Sequence, residues 1–152
     1  VISIDLTGTF LCCQAVAKVM VKQEWGRIVT LASTAGLRGG FNRAAYGAAK
    51  AGLVNLGSSL AVEWAPKVRV NALVVGLVET EQSHLHYGDE AGLAAVAATV
   101  PLERMAVPAD IGNACLFLAS PLAAYVSGTS FAVHGGGEKP AFMGASSAET
   151  PR

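Results

Sequence analysis

Arg27-Ile28-Val29-Thr30-Leu31-Ala32-Ser33, followed after a glycine-bearing loop by Tyr46-Gly47-Ala48-Ala49-Lys50, decides how this chain folds. The first segment is an apolar run that reads as a buried strand ending at Ser33. The second lies in a helix, where the four-residue spacing of Tyr46 and Lys50 puts a phenol and an ammonium one turn apart on one face. A hydroxyl at a strand's carboxyl end, facing a tyrosine near the start of the next helix, suits proton transfer to a substrate oxygen.

Working outward, Phe10, Cys13, Ala17, Met20 and Val21 recur at helical spacing and predict a helix over 7–24, stopped by Gly26. Residues 36–43 read as a loop. Residues 44–65 read as a long helix rich in Ala, Gly and Ser, ended before Pro66. Val68 to Val75 is nearly continuous β-branched and apolar sequence, the pattern of a strand covered on both faces of a parallel sheet. Residues 79–101 are mixed and read as a mobile helical flap. Pro108-Ala109-Asp110 opens another helix. Ser130 to Val133 is a last strand, closed by Gly135-Gly136-Gly137, and 138–152 reads as a loose tail.

This order predicts an α/β fold: the C-terminal half of a Rossmann-like, doubly wound parallel sheet, about three strands with flanking helices. A dinucleotide-binding sheet also needs an early strand and a glycine-rich turn at a helix N-terminus. The sequence offers neither, so residues 1–137 are expected to be the carboxyl-terminal part of a single domain whose N-terminal half is absent from this chain.

Hydrophobic residues make up 52% and charged residues 14%, which points to extensive burial or subunit contact. Eleven basic and eleven acidic residues cancel, so composition gives no case for nucleic acid or an anionic membrane as partner. No uninterrupted run approaches the roughly 18 apolar residues of a membrane span. The segment opening at Val1 does not read as a signal peptide. Three cysteines, two of them adjacent at Cys12 and Cys13, argue against a disulfide framework and for a reducing, cytoplasmic setting. His84 and His86 form a His-x-His pair beside Glu79, Glu81 and Asp89. No further cysteine or acidic cluster completes a site, and no metal is expected.

Several stretches resemble the short-chain dehydrogenase/reductase family in order and spacing. They are Asp5-Leu6-Thr7-Gly8-Thr9-Phe10; Ser33 with Tyr46-x-x-x-Lys50 thirteen residues on; Asn71-Ala72 through Gly76 to Thr80; Pro101-Leu102-Glu103-Arg104 with Pro108-Ala109-Asp110-Ile111; and Val126-Ser127-Gly128 with Val133-His134-Gly135-Gly136. The match runs from Val1 to about Gly137. Three positions depart from the family's pattern: Asp5 stands for its usual asparagine, Val75 for proline and His134 for Asp or Asn.

The resemblance implies an NAD- or NADP-dependent oxidoreductase interconverting a secondary alcohol and a ketone. Tyr46 is then the general acid/base. A phenol gives up its proton readily at neutral pH only beside a positive charge, and Lys50 supplies it while gripping the nicotinamide ribose. Ser33 polarises the substrate oxygen; Thr34 is the competing hydroxyl. Gly76, Val78 and Thr80 line the nicotinamide end. Asp5 either contributes a backbone carbonyl to a proton relay or caps the helix that follows it.

The apolar flap residues Leu93, Val96 and Val100 point to a hydrophobic substrate, of 3-oxoacyl, steroid or alicyclic type. The resemblance also implies a homodimer or homotetramer joined through the helices 7–24 and 44–65. The competing reading is a truncated or degenerate member acting as a non-catalytic binding or assembly subunit. NAD cannot be told from NADP, because the residue reading the ribose 2′ position belongs to the absent half.

Overall fold

The computed structural model describes residues 1–145. A wide π-type turn, Ser3–Gly8, runs straight into helix α1 (Thr9–Lys22). The helical backbone therefore starts earlier than the predicted position 7. Ile2 and Ile4 are exposed, so this turn lacks the apolar period that marks a core-facing helix. After α1 the chain reverses through Glu24, which sits at φ +60°.

Strand β1 (Gly26–Ser33) follows, then a 3₁₀ turn (Thr34–Gly36) and helix α2 (Ala44–Glu63), ending two residues before the predicted limit. Strand β2 (Val68–Val75) matches its predicted span. Two short helices, α3 (His84–Tyr87) and α4 (Glu90–Ala97), make up the flap. Helix α5 (Pro108–Ala119), strand β3 (Ser130–Val133) and helix α6 (Ala141–Ala145) complete the described chain.

The three strands are parallel in the order β1-β2-β3. β2 is central, with Val68, Val70, Leu73 and Val74 buried, as expected of a strand covered on both faces. Helices α1 and α2 lie on one face. Cys13 and Leu60 pack with Val68 and Val70; Leu53 packs with Ala32, Ala72 and Val74. Leu73 is register-paired with Phe131 and faces the other way, toward α5, whose Phe117 ring lies 5.8 Å from that of Phe131. Asn71 is buried but satisfied at both ends: its amide donates to the Val126 carbonyl and its oxygen accepts from Thr129 N–H.

Helix α5 starts as predicted, with Pro108 in the first turn. Asp110 reaches back to accept the Val107 N–H at 2.9 Å and pairs with Arg104. Those contacts hold the Asp110 carboxyl below the usual carboxylate range, the Arg104 hydrogen bond being the larger cause.

One expectation needs correction. The segment from 138 is not loose throughout: Lys139 N–H donates to the Thr99 carbonyl at 2.8 Å, Glu138 pairs with Arg38, and Ala141–Ala145 is helical. The rest of that tail lies outside the described residues. Ser3–Lys22 is long and apolar enough, by length and composition, to cross a membrane. One side of it, Cys13 and Ala17, is buried, while Leu11 and Val19 on the other are 57% and 62% exposed.

Candidate active site

Ser33 is the last residue of β1, paired in register with Val75 of β2, so Gly76 begins where the two strands end side by side. Its Oγ accepts the Ala35 N–H at 3.2 Å, capping the short turn that follows. That turn is pressed onto α2. A Cβ on Gly36 would lie 2.6 Å from Ala51 N, and one on Gly47 would lie 2.8 Å from the Ala35 carbonyl oxygen. Only glycine at both positions permits this approach. It seats the Ser33 turn on the stretch of α2 between Tyr46 and Lys50.

Tyr46 is 36% exposed, in the first turn of α2. Lys50 Nζ stands 5.5 Å from the Tyr46 ring centroid and donates to the Leu31 carbonyl at 3.0 Å. Leu31 belongs to an edge strand, and its carbonyl fixes the ammonium on the phenol's side of the helix. The three chemical groups read from the sequence therefore share one corner, at the carboxyl end of β1.

Asp5 sits within the π-type turn, not at a helix start, so the capping alternative fails. Its backbone carbonyl accepts the Thr9 hydroxyl at 2.8 Å. The neighbouring Leu6 lies against α2: a Cβ on Gly52 would come within 2.8 Å of Leu6 Cδ2. Asp5 is thus carried alongside α2, near the turn that holds Lys50.

Gly76 donates its N–H to the Val133 carbonyl at 3.0 Å and is hemmed in by His134, whose Cβ would lie 2.7 Å from an added Cβ. Val78 forms an isolated parallel bridge with Ala106. The bonds of that bridge use Glu79 N–H and the Leu77 carbonyl, so the amide of Val78 itself stays out of them. Thr80 is exposed; its N–H donates to Ser83 Oγ at 2.8 Å.

Ser83 was not among the predicted site residues, yet it is 4% exposed and anchors the strand-to-flap turn. The Thr80-x-x-Ser83 spacing, a hydroxyl three residues after an exposed turn residue, was the signal available. His84 and His86 lie on α3. Among the described residues, no three of His, Cys, Asp and Glu gather closely enough to hold a metal.

Residues 1–138 match the family profile described as Enoyl-(Acyl carrier protein) reductase. The chain is 39% identical over 137 residues to the 3-oxoacyl-[acyl-carrier-protein] reductase FabG of Aquifex aeolicus (strain VF5), covering 90% of this chain and 54% of the relative. A solved short chain dehydrogenase/reductase family protein superposes with a TM-score of 0.80 at 37% identity, covering 89% of this chain and 55% of that one. A structure assigned as a 2-deoxy-d-gluconate 3-dehydrogenase of Agrobacterium tumefaciens, with bound NADP, superposes with a TM-score of 0.83 at 35% identity, covering 90% and 56%. The chain spans about half the length of the curated relatives it matches.

Proposed function

Because the chain belongs to the short-chain dehydrogenase/reductase family, we propose that the protein interconverts a secondary alcohol and a ketone with NAD or NADP, and that Ser33, Tyr46 and Lys50 handle the proton. The observation that carries this reading is the seating of the Ser33 turn against Gly47 and Ala51, the residues that directly follow the tyrosine and the lysine.

In the reductive direction Tyr46 gives its phenolic proton to the carbonyl oxygen as the carbon is reduced. Charge building on the phenol oxygen is stabilised by the Lys50 ammonium, which the Leu31 carbonyl holds in place. Ser33 Oγ already accepts a hydrogen bond from Ala35, which leaves its own proton to donate to the substrate oxygen. A bound nicotinamide supplies or takes the hydride.

The residues fit the ribose and nicotinamide end of that cofactor. Lys50 has donors beyond the one used on Leu31, Gly76 leaves bare backbone at the strand end, and the Val78 amide stands outside its bridge. Thr80 adds a hydroxyl at the same edge. Asp5 enters the proton relay through its backbone carbonyl.

A hydrophobic substrate body is supported by Leu77 and Val96 beside the Ser33 turn and by relatives named as 3-oxoacyl reductases. A homodimer or homotetramer is supported by a recess of about 510 Å³ between α1 and α2, lined by Phe10, Leu56 and Trp64, next to the exposed Leu11 and Val19. Reduced cysteines fit a cytoplasmic setting.

The test is Tyr46→Phe in the complete native polypeptide, followed by NAD(P)H consumption with a ketone panel. Turnover is expected to fall by roughly 10²–10⁴-fold while cofactor still binds; unchanged turnover overturns the reading. The same exposed faces of α1 and α2 favour the alternative, a non-catalytic assembly subunit. NADH binding without turnover in the unaltered protein would support it.

A further inference from the structure

A recess of about 390 Å³ opens beside the candidate catalytic corner. Its inner end is the Thr34–Ala35 turn that follows Ser33, and its far wall is the flap, through Tyr87, Val96 and Thr99. The loop 37–43 brings two guanidinium groups to it, Arg38 and Arg43; the segment after β3 brings one carboxylate, Glu138. Arg38 and Glu138 are paired to each other. The Arg43 guanidinium has no ion-pair or hydrogen-bond partner among the described residues, although its carbonyl accepts the Gly47 N–H. The lining charges therefore leave one uncompensated positive charge in a recess whose other surfaces are largely apolar or hydroxylic.

We infer that this recess takes an oxo substrate bearing an anionic terminus, and that Arg43 is the residue that selects it, with Arg38 as a second donor held in reserve by Glu138. The inference rests on the oxidoreductase reading, because the recess begins at the residue next to Ser33. A guanidinium offers a planar fork that matches a carboxylate or a phosphate through two parallel hydrogen bonds. The volume suits a small molecule. An apolar body along Leu77 and Val96, with its charged end at Arg43, reconciles the hydrophobic flap with the two arginines.

The test uses the complete native polypeptide and paired substrates: keto acids of increasing length beside their methyl esters, and a keto phosphate beside its dephosphorylated ketone. The unaltered protein is expected to prefer the charged member of at least one pair by tenfold or more in kcat/KM. Which pair shows it tells carboxylate from phosphate. Arg43→Gln is expected to lower kcat/KM for the anion by roughly ten- to hundredfold, through KM, and to leave the neutral partner unchanged. Arg43→Lys recovers part of the loss. Glu138→Gln, by freeing Arg38, is expected to lower KM for the anion by roughly two- to fivefold, which a merely structural role for Glu138 would not do.

Calorimetric binding of glutarate and of inorganic phosphate, compared between the unaltered protein and Arg43→Gln, gives a readout independent of turnover. Neutral ketones reduced as well as charged ones, with Arg43→Gln affecting both alike and neither probe binding, would overturn the anion site while leaving the oxidoreductase reading intact. A probe bound through Arg43, with no ketone reduced, would keep the anion site and overturn the oxidoreductase reading.

Discussion

The corner formed by β1 and α2 and the rim formed by the 37–43 loop and the flap are built by opposite means. At the corner, backbone meets backbone: Gly36 and Gly47 bring a turn to within ångströms of a helix, over a floor of buried Leu53, Ala32 and Val74. At the rim, side chains span gaps: Arg38 to Glu138, and Ser83 to the Thr80 amide. Close-packed backbone cannot move without loss of contact. Exposed ion pairs and single hydrogen bonds give way for about a kilocalorie per mole or less. The comparison therefore separates a fixed proton-transfer corner from an adjustable substrate rim.

The largest effect expected is on the floor of the corner. Leu53→Ala should cost ~2–5 kcal/mol of stability in denaturant unfolding, because Leu53 is fully buried beneath both strands. A loss below about 1 kcal/mol would mean the corner is not close-packed. Gly47→Ala sharpens the point. Alanine favours the helix by ~1 kcal/mol, but its methyl meets backbone that cannot shift cheaply, so stability should fall on balance in denaturant unfolding. The added methyl would displace the Ala35 carbonyl and with it Ser33, and turnover should fall by ~10²-fold.

Ser83→Ala probes the rim. It removes the acceptor of the Thr80 amide, and should raise KM severalfold while costing ~1 kcal/mol or less in unfolding. An equal loss in kcat would break the distinction between corner and rim. The smallest effect concerns Asp110. Its carboxyl titrates below its unfolded value, so its contribution is present above the ordinary carboxylate range and disappears as pH falls through the lowered folded value. Asp110→Asn should lower stability slightly at neutral pH, flatten the acid limb of the profile measured by denaturant unfolding, and leave strongly acid pH nearly unaffected.

The corner was legible because its determinants are local. An apolar strand, a serine at its end and a Tyr-x-x-x-Lys helix announce themselves by period and spacing; β2 was bounded to the residue by its β-branched and apolar run, and β3 by its place just before Gly135-Gly136-Gly137. The rim's loop and helical flap were legible too, but the pairings across it were not. The docking of residues 138–145 depends on Thr99 and Arg38, some forty and one hundred positions upstream, and no local pattern encodes such pairings. The early start of the first helix was missed for a different reason: its opening turn exposes Ile2 and Ile4, so it carries none of the amphipathic signal by which helices are found.

The central claim is that Tyr46 and Lys50 act as one unit beside Ser33. A double-mutant cycle of Tyr46→Phe and Lys50→Met on ketone reduction by the complete polypeptide tests it most directly. If the two act together, the double variant should be no slower than the worse single variant, within about threefold. Losses that multiply, each variant adding its full cost to the other, would contradict the account.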